Sequence, residues 1–474
     1  MSWPFRKEVV IGSDAPDAFS VGRYWYEESG FERPRFGPKM QLGGTEPVGV
    51  CGRNRSGKDV GLGIYNALRL EGRSWWMYDP RGEGACVSAA YRRTLGPTRI
   101  INPDGMHTNT PGYADLKSGG RNPFEGRNPK SDGFFDEVAA IVAAWLRLPT
   151  NGDPHWVLRA RGIVHALSDW EIQRAAIEGR PASPHNVRMM LTEADEFDPN
   201  TGEPIKGFAA TAARIVREGS PQAASLIGSY AGPHNEEAAG ARATADGATQ
   251  WKLSPVIARD MAVAGGADPR ELGEYPASHY LVLPQHMVET HSAFVRETLS
   301  SSLRALSRLT NTVCTFYINE FATLGKSEAI ESALGMVAGS GIQLVFVVQS
   351  LTQLALHYGK DSWENFMGQA GCVVLIGPPA DKFTAEYFSS RSGENTILSP
   401  NASMSLNPGG VGMQNGEGYT RRQRLLPQDL YRLQPGFGYV FVAGLSNAIP
   451  AYFPPYFDVD LLARRARKNP WYRG

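Results

Sequence analysis

Residues 52–58 read Gly-Arg-Asn-Arg-Ser-Gly-Lys, which is a complete G-x-x-x-x-G-K phosphate-loop pattern. A short apolar run, residues 47–51, precedes the loop, and a helix-patterned run from Lys58 to about Leu70 follows it. In this setting successive backbone N–H groups surround a phosphate, Lys58 adds a positive charge, and the helix presents its positive N-terminus. The pattern predicts a nucleotide-phosphate loop, with a purely structural glycine-rich turn as the alternative. The predicted binding residues are Gly52, Arg53, Asn54, Arg55, Ser56, Gly57, Lys58, Asp59 and Val60.

Position 59 departs from the phosphate-loop pattern, which has Ser or Thr after the lysine so that a hydroxyl binds Mg²⁺. Asp59 occupies this position. A carboxylate oxygen is a suitable ligand for Mg²⁺, but its negative charge would also lie beside the phosphates. Asp59 is therefore a candidate metal ligand, and the opposite effect, weaker nucleotide binding, stays open.

The composition is that of an ordinary globular protein, with 42% hydrophobic and 20% charged residues among 474. The 48 Lys and Arg residues balance 48 Asp and Glu residues, so nucleic-acid binding would need a local basic patch. No run reaches the ~20 apolar residues of a membrane span, and the N-terminus lacks a signal-peptide core. The four scattered cysteines form no C-x-x-C pair, which predicts buried, reduced thiols without a zinc site in a cytoplasmic protein.

The pattern of strands and helices divides the chain into four parts. Residues 1–46, rich in Pro, Gly and aromatic residues, indicate an N-terminal arm. Residues 47–133 alternate strands with helices, which predicts the first part of an α/β nucleotide-binding domain on a parallel, doubly wound sheet. Residues 134–264 show only amphipathic helical runs and predict an all-α insertion domain. Residues 265–474 resume the alternation as the second part of the nucleotide-binding domain, with a flexible loop from Gly393 to Gly418 and a basic C-terminal tail.

Two further strand ends carry candidate catalytic side chains. The apolar strand Thr315–Ile318 ends in Asn319 and Glu320, where P-loop ATPases usually have Asp-Glu. Glu320 is a candidate for orienting the attacking water, and Asn319 offers a neutral amide oxygen to Mg²⁺; the alternative is that both residues merely cap the strand. The strand Val345–Val348 ends in Gln349, a polar residue placed to sense the γ-phosphate, although many strands end in Gln.

Together these segments resemble the coupling-protein ATPases of conjugation and type IV secretion, the TraG/TraD-type family. The order and spacing of the matching pieces agree from about residue 45 to the C-terminus. The two most specific pieces are Asp79-Pro-Arg-Gly-Glu83 and Glu320-Phe-Ala-Thr-Leu-Gly325. The other matching pieces are Arg55–Gly61, Gln349–Leu354, Thr384–Ser389 with Gly393, and Arg424–Leu430.

The resemblance implies a RecA-like P-loop domain with an inserted all-α domain, assembled as a homo-hexamer at the cytoplasmic mouth of a secretion channel. Such motors use ATP and Mg²⁺ and deliver a relaxase–DNA complex or protein effectors. The resemblance also implies that Lys58 neutralises phosphate charge, that Glu320 activates water and that Gln349 senses the γ-phosphate. Arg391 is implied as an arginine that acts on the nucleotide of the neighbouring subunit, and an ordinary surface role is the alternative.

The sequence departs from the family at several points. The paired transmembrane helices that the family usually carries have no counterpart, so we expect either a separate membrane-anchor protein or a soluble branch. The expected location is cytoplasmic, or peripheral at the inner membrane. Asn319 replaces the family's Walker B Asp, Asp59 replaces Gly, Ser or Thr, and Ala338 replaces a frequent Arg. One donor that stabilises the charge of the transition state can contribute ~3 kcal/mol. The loss of such groups therefore predicts slow ATP hydrolysis.

The sequence leaves three functions open. The first is an ATP-binding motor that moves DNA or protein, and the second is a degenerate adaptor that recruits substrates without fast hydrolysis. The third is a DNA pump of the FtsK/HerA type, against which the two specific pieces count. The candidate DNA-contacting clusters are Arg421, Arg422 and Arg424, and the tail Arg464–Lys468, with solvated surface charge as the alternative.

Overall fold

The structure, a computed structural model, describes residues 9–11, 17–149, 152–232, 236–306, 312–325, 331, 340–359, 362–407 and 410–471. The chain forms two compact units. Unit 1 consists of residues 1–66 and 345–460, and unit 2 consists of residues 67–344 and 461–474.

The described strands are numbered in chain order. They are β1 (Val9–Ile11), β2 (Phe19–Tyr26), β3 (Arg35–Leu42), β4 (Val48–Cys51), β5 (Ser74–Tyr78), β6 (Thr98–Ile101), β7 (Glu196–Phe197), β8 (Pro204–Lys206), β9 (Ser278–Leu281), β10 (Cys314–Ile318), β11 (Ile342–Val348), β12 (Cys372–Ile376), β13 (Glu394–Asn407), β14 (Gly410–Gln423), β15 (Phe437–Val442) and β16 (Ile449–Tyr452).

The described α-helices are numbered in the same way. They are α1 (Ile64–Arg69), α2 (Glu83–Leu95), α3 (Phe134–Trp145), α4 (His155–Glu178), α5 (Pro184–Thr192), α6 (Phe208–Glu218), α7 (Pro221–Ile227), α8 (Glu236–Thr249), α9 (Pro255–Asp260), α10 (Glu271–Glu274), α11 (Gln285–Leu306), α12 (Leu351–Tyr358), α13 (Trp363–Gln369), α14 (Lys382–Ser390), α15 (Pro427–Tyr431) and α16 (Asp460–Arg465).

Unit 1 contains a mixed sheet with three parallel strands. The predicted phosphate loop follows β4, the middle strand of these three. The strand order of the sheet is β1-β3-β2-β16-β15-β12-β4-β11, with residues 345–348 as the part of β11 that belongs to this unit. Strand β4 pairs in parallel with β11 and β12, whereas the pairs from β12 outward are antiparallel. The three parallel strands are buried along their whole length, which explains their continuous apolar sequence.

Unit 2 contains a parallel sheet of order β10-β5-β9-β6. The register pairs Tyr78 with Ile318 on one side and with Leu281 on the other, so the three strands end at the same edge. Trp75 and Tyr317 stack on neighbouring strands with ring centroids 5.9 Å apart. Such cross-strand aromatic pairs add to the stabilisation from burial. The alternating strands and helices confirm the predicted α/β class.

The helical stretch predicted over residues 134–264 is occupied by helices α3 to α9. They belong to unit 2, together with the parallel strands of that unit. One small correction concerns the all-α prediction, because the break between α5 and α6 contains the short antiparallel pair β7–β8. Asp195 at this break accepts a hydrogen bond at 2.7 Å from the backbone N–H of Ala209 in the first turn of α6, which stabilises the start of that helix.

The N-terminal stretch is more regular than the expected arm over residues 1–46. Strands β2 and β3 pair with each other in this stretch, and Phe19 and Val21 are fully buried. The pairing is interrupted by register shifts between Ser20 and Arg23, beside Gly22 with a φ of 95°. A bulge of this kind breaks the two-residue periodicity that marks a strand in a sequence, so the sequence pattern does not reveal these strands.

The predicted flexible loop from Gly393 to Gly418 is wrong, because β13 and β14 form a long antiparallel hairpin there. Each strand has 14 residues. Pro400 and the many glycines of β14 conceal the strands, since both residue types are depleted in sheets. The signal that could have revealed them is the alternation of Ala402, Met404 and Leu406 with polar residues before a turn-forming Asn-Pro-Gly-Gly sequence.

Two expectations concern Ala338 and membrane spans. Ala338 lies outside the described residues. Among the residues that the structure does describe, no helix combines the length and the apolar character that a bilayer crossing requires.

Candidate nucleotide-binding site

The predicted phosphate loop of unit 1 leaves the end of β4 and returns sharply into a helix. The backbone N–H of Gly52 donates to the carbonyl of Val348 on the neighbouring strand β11 at 3.0 Å. The turn then passes through Arg55 with φ 64° and Gly57 with φ 95°. A non-glycine residue in this left-handed region is uncommon and marks a conformation imposed by its surroundings. The chain becomes helical at Lys58.

Two backbone segments pack against the loop. One lies at the end of β12, and the other lies just before β15. A Cβ atom at Gly52 would lie 2.6 Å from Cγ2 of Ile376, so a larger residue does not fit there. The N–H of Gly436 donates to the carbonyl of Ser56 at 2.8 Å. A Cβ atom on Gly377, which has φ 69°, would approach the Ser56 Cβ to 2.9 Å. These close approaches fix the loop in one shape.

The donor set of the loop fits an anionic phosphate group. Ser56 is only 1% exposed, and in the described structure its hydroxyl has no hydrogen-bond partner. Lys58 is buried as well, at 4% exposure. Gly52 and Gly57 keep the loop free of side-chain atoms at two positions, so that the backbone can approach a ligand closely. A buried hydroxyl donor beside a buried ammonium at a helix start is the arrangement that binds phosphate.

The first turn after the loop is wider than an α-helix. Residues Asp59–Gly63 form a π-helical turn that continues into α1. Gly61 lies in this turn, and a Cβ atom there would meet the carbonyl oxygen of Phe453 at 2.9 Å. Single π turns inside helices often occur at functional sites. Asp59, the candidate metal ligand, is therefore the first residue of an unusual helical turn.

Gln349 is the predicted site residue that unit 1 places nearest to the start of the loop. The register pairs Val348 with Cys51, so Gln349 and Gly52 follow neighbouring parallel strands at the same edge. The Gln349 carbonyl lies 4.0 Å from the Sγ of Cys51. The next residue, Ser350, accepts a hydrogen bond from the N–H of Gln353 and so begins α12. The role of Gln349 as a γ-phosphate sensor stays a prediction.

Arg391 lies at the end of α14 and is held along its own helix. Its Nη1 donates to the hydroxyl of Tyr387 at 2.6 Å, and its guanidinium lies 5.5 Å from the centre of that ring. The side chain is half-buried. Burial is the first cause that raises the pKa of Tyr387, and the positive charge of Arg391 opposes it. An arginine in this position would have to leave Tyr387 to reach a nucleotide on another subunit.

Asn319 and Glu320 follow β10 in unit 2, and both are buried. The Oδ1 of Asn319 accepts a hydrogen bond from the N–H of Glu320 at 3.1 Å, so part of its acceptor capacity is used by the backbone. Glu320 has φ 51°, in the left-handed region. Strained residues of this kind cluster at active sites, and the catalytic role of Glu320 stays a prediction.

Asp79 is a further candidate that the sequence reasoning did not single out, although it lies in the specific piece Asp79-Pro-Arg-Gly-Glu83. It follows β5 directly, is 2% exposed, and its Oδ2 accepts a hydrogen bond from the N–H of Ala85 at 2.9 Å. Burial raises the pKa of the neighbouring Tyr78, and the charges of Glu320 and Asp79 raise it further. The two carboxylates therefore act on the same hydroxyl within unit 2.

The C-terminal segment contacts the same turn. The Nδ2 of Asn469 donates to Oε1 of Glu83 at 2.6 Å, and the indole N–H of Trp471 donates to the carbonyl of Arg81 at 3.3 Å. The ring of Trp471 also packs edge-on against His107, which bonds the same carbonyl at 2.9 Å. The turn after β5 is therefore fixed by residues far away in the sequence.

Only part of each predicted basic cluster is exposed. In the tail, Arg465 donates to the carbonyl of Leu68 at 2.9 Å, and Arg467 bonds three groups of unit 2. In the other cluster, Arg424 donates to the carbonyl of Ala448 at 3.1 Å and pairs with Glu27. The exposed members that remain are Arg421, Arg422, Arg464 and Lys468.

The predicted site residues belong to both units. Unit 1 carries Gly52–Val60, Gln349 and Arg391, and brings the first two together. Unit 2 carries Asn319 and Glu320 and places Asp79 beside them.

The family of the chain can be determined by comparison with known proteins. The family model described as "Type IV secretory system Conjugative DNA transfer" matches residues 1–469. A probable conjugal transfer protein TraG of Sinorhizobium fredii (strain NBRC 101917 / NGR234) is 24% identical over 402 residues, covering 82% of this chain and 58% of that protein. A conjugal transfer protein TraG of Escherichia coli is 24% identical over 414 residues, covering 82% and 61%. The chain thus spans less than two thirds of the length of these relatives.

Among solved structures, the plasmid coupling protein TrwB in complex with the non-hydrolysable ATP analogue ADPNP has a TM-score of 0.62 at 17% sequence identity. The match covers 87% of this chain and 86% of that one. This likeness shows that the two share a fold, the RecA-like P-loop fold of coupling proteins. With the family match over residues 1–469, it follows that the chain belongs to the family of type IV secretory system conjugative DNA transfer proteins.

Proposed function

We propose that the chain is an ATP-binding motor that recruits DNA–protein or protein substrates and delivers them to a type IV secretion channel. The observation that carries this proposal is the phosphate loop, with its buried Ser56 hydroxyl and buried Lys58 at the start of a helix. The membership of the conjugative DNA transfer family supports the transport role. TrwB has been solved with ADPNP and with ADP and Mg²⁺, which supports the same ligands here.

Each proposed role follows from the chemistry of the side chain. The N–H groups of residues 52–60 and the ammonium of Lys58 hold the phosphates and offset their negative charge. Glu320 holds and orients the attacking water by accepting its proton in a hydrogen bond. Gln349 follows the strand beside the loop and contacts the terminal phosphate. Arg391 stabilises charge on the nucleotide of a neighbouring subunit.

Mg²⁺, when bound with the nucleotide, neutralises negative charge that develops on the phosphates. Asp59 and Asn319 are the residues that the sequence suggests as its ligands. The carboxylate of Asp59 suits a hard cation. Asn319 is a weaker candidate, because its side-chain oxygen already accepts from the N–H of Glu320.

Membership of the family supports a proposal for the partners. We propose that the chain acts with secretion-channel components, takes a relaxase–DNA complex or protein effectors as substrate, and assembles as a homo-hexamer on the cytoplasmic side of the inner membrane. Attachment to the membrane would come from a separate protein or from a segment of a longer chain. The second candidate function is an adaptor of the same fold that hydrolyses slowly, and the neutral Asn319 favours it.

The motor and the adaptor differ in ATP turnover by the assembled protein. For the motor, Glu320→Gln should lower kcat by about 100- to 10,000-fold, because the variant keeps its shape but cannot accept a proton. ATP affinity should stay unchanged in the same variant. Phosphate release is measured with Mg²⁺ at high protein concentration, and calorimetry gives the affinity.

The matched control is Glu289→Gln, an exposed glutamate on α11, which should leave turnover unchanged. Equal, very slow phosphate release by the wild type and the Glu320 variant would contradict the motor and favour the adaptor.

A further inference from the structure

The hairpin of β13 and β14 in unit 1 forms a two-stranded sheet of its own. Its register runs from Glu394 paired with Gln423 to Asn407 paired with Gly410. With 14 residues in each strand, the hairpin is about 45 Å long. Among the residues that the structure describes, no third strand pairs with either of its outer edges. Each edge therefore presents backbone N–H and C=O groups that bond no further strand.

These two edges lack the usual protection against pairing. A single hairpin is at most marginally stable in water, and three or more strands are needed for independent stability. Natural proteins protect open edges with charged residues, prolines or very short strands. Residues 395–416 contain no Asp, Glu, Lys, Arg or His, and Pro400 is the only proline in either strand. A long edge of this kind is a template for another strand.

The base of the hairpin carries opposite charges on its two edges. Glu394 begins β13, Arg421 and Arg422 lie near the end of β14, and all three residues are exposed. Within one hairpin Arg421 approaches Glu394 to only 3.8 Å, and an exposed pair of this kind contributes little to stability. When two hairpins lie side by side and point the same way, β14 of one runs antiparallel to β13 of the other. The two arginines of one copy then lie beside the glutamate of the next.

We propose that β14 of one copy of the chain pairs, as an antiparallel strand, with β13 of the next copy. This inference rests on the proposed assembly into a ring and deepens it by naming an interface. A single strand from another protein would cover one edge of the hairpin and leave the other open. Identical copies arranged head to tail in a closed ring cover both edges of every hairpin. Backbone hydrogen bonds supply the affinity, and the opposite charges at the base favour this orientation.

The first test removes most of the hairpin and keeps its base. Thr396 and Arg421 are paired in the register, so an Asn-Gly turn can replace residues 397–420. Sedimentation velocity with ATP and Mg²⁺ should then show association at least about 10-fold weaker than in the full chain, because several backbone hydrogen bonds are lost. The ATP affinity should stay unchanged, since the phosphate loop is intact.

Variants with one added cysteine determine which edges meet. Thr396→Cys on β13 and Thr420→Cys on β14 change exposed, uncharged positions, and the four native cysteines are buried. A mixture of the two variants should form dimers with a bismaleimide cross-linker at high protein concentration, whereas either variant alone should form few. Equally strong cross-linking of one variant with itself would show that like edges meet, which would overturn the head-to-tail pairing.

Charge reversal tests the orientation of the paired strands. The variant R421E/R422E should associate about 5-fold more weakly, because like charges would lie on neighbouring strands. Adding E394R should restore most of the association. The matched control R33E/R432E reverses two exposed arginines of the same unit and should change nothing. A variant R421E/R422E that loses DNA affinity but associates as the wild type does would overturn the role of these charges in the interface.

Equal association of the shortened variant and the full chain would overturn the inference and leave the proposed ring intact. A full chain that stays monomeric at high concentration, with and without ATP, would overturn both the interface and the ring. A full chain that binds no ATP would instead overturn the proposed nucleotide-binding function, and the cross-links formed without nucleotide would still decide on the interface.

Discussion

Ser56 contributes more to the phosphate loop than its place in the motif indicates, since the pattern accepts any residue there. Its carbonyl accepts from Gly436, and its Cβ leaves no room for a side chain at Gly377. Its buried hydroxyl lies in the loop without a partner among the described residues. The residue therefore both fixes the loop and offers a donor to a ligand, which the sequence pattern does not show.

Lys252 is a second buried polar residue, and its charge affects the stability of the fold. Its Nζ lies 3.5 Å from the centre of the Trp145 ring and has no hydrogen-bond partner in the described structure. The ring face favours the ammonium form, but burial is the first cause that lowers the lysine pKa well below its usual value, and the charge of Arg188 lowers it further. Burial dominates because no acceptor compensates for the lost water.

Lys252→Met should therefore raise the free energy of unfolding near neutral pH. With the folded-state pKa lowered, the unfolded state binds more protons, so wild-type stability rises with pH up to the unfolded value of about 10.4. Methionine has no such penalty, and the advantage of the variant should shrink as the pH approaches about 10. Urea titrations at several pH values measure the difference.

The control is Lys117→Met, an exposed lysine in the same unit, which should show no pH-dependent gain. A variant at position 252 that is less stable than the wild type at neutral pH would show that the ammonium is stabilised by its aromatic neighbours.

At the scale of elements, the C-terminal tail combines a structural part with an exposed part. Arg465 and Arg467 bond backbone carbonyls of unit 2, whereas Arg464 and Lys468 are exposed. The double variant R465A/R467A should lower the free energy of unfolding by about 1.5–3 kcal/mol, the range for one hydrogen bond to a charged group. The double variant R464A/K468A should keep it unchanged. Thermal melts compare the two.

The same pair of variants tests the DNA binding proposed for the tail. If the exposed residues bind phosphates, R464A/K468A should flatten the dependence of DNA affinity on salt, by about 0.9 in slope for each phosphate that is no longer neutralised. Equal melting temperatures for both double variants would contradict the division of the tail.

The elements that the sequence predicted best are those with an uninterrupted apolar pattern. The apolar run before the phosphate loop forms β4, and the predicted strand ends at Ile318 and Val348 are the ends of β10 and β11. The elements that the sequence does not reveal have patterns disturbed by backbone geometry or by glycine and proline: β2 contains a bulge, and β14 is rich in glycine. Local patterns do not encode such pairing, because the partner strand is distant in sequence.

Candidate site residues could be identified from the sequence where one motif carries the chemistry. The phosphate loop and the strand ends at Gln349 and Glu320 could be identified from short patterns. The proximity of Asp79 to Asn319 could not be predicted, since the two are 240 positions apart in the chain and are brought together only by the pairing of β5 with β10. The Tyr387 contact of Arg391 likewise follows from the helix geometry and not from a motif.

At the scale of the whole molecule, the proposed function needs more than one copy of the chain. A RecA-like motor completes its site with an arginine from a neighbouring subunit, for which Arg391 is our candidate. With a net charge of zero, no strong overall field drives or opposes assembly. We propose that the chain is monomeric in dilute solution and forms rings with nucleotide, DNA or the secretion channel.

The claim on which every other proposal depends is that residues 52–60 bind a nucleotide, and calorimetry of ATP with the Lys58→Ala variant tests it most directly. The loss of one charge-assisted hydrogen bond should weaken ATP binding by about 10- to 100-fold. The control Lys382→Ala, an exposed lysine of unit 1, should bind as the wild type does. Equal ATP affinity in the Lys58 variant and the wild type, or no ATP binding by either, would contradict the account.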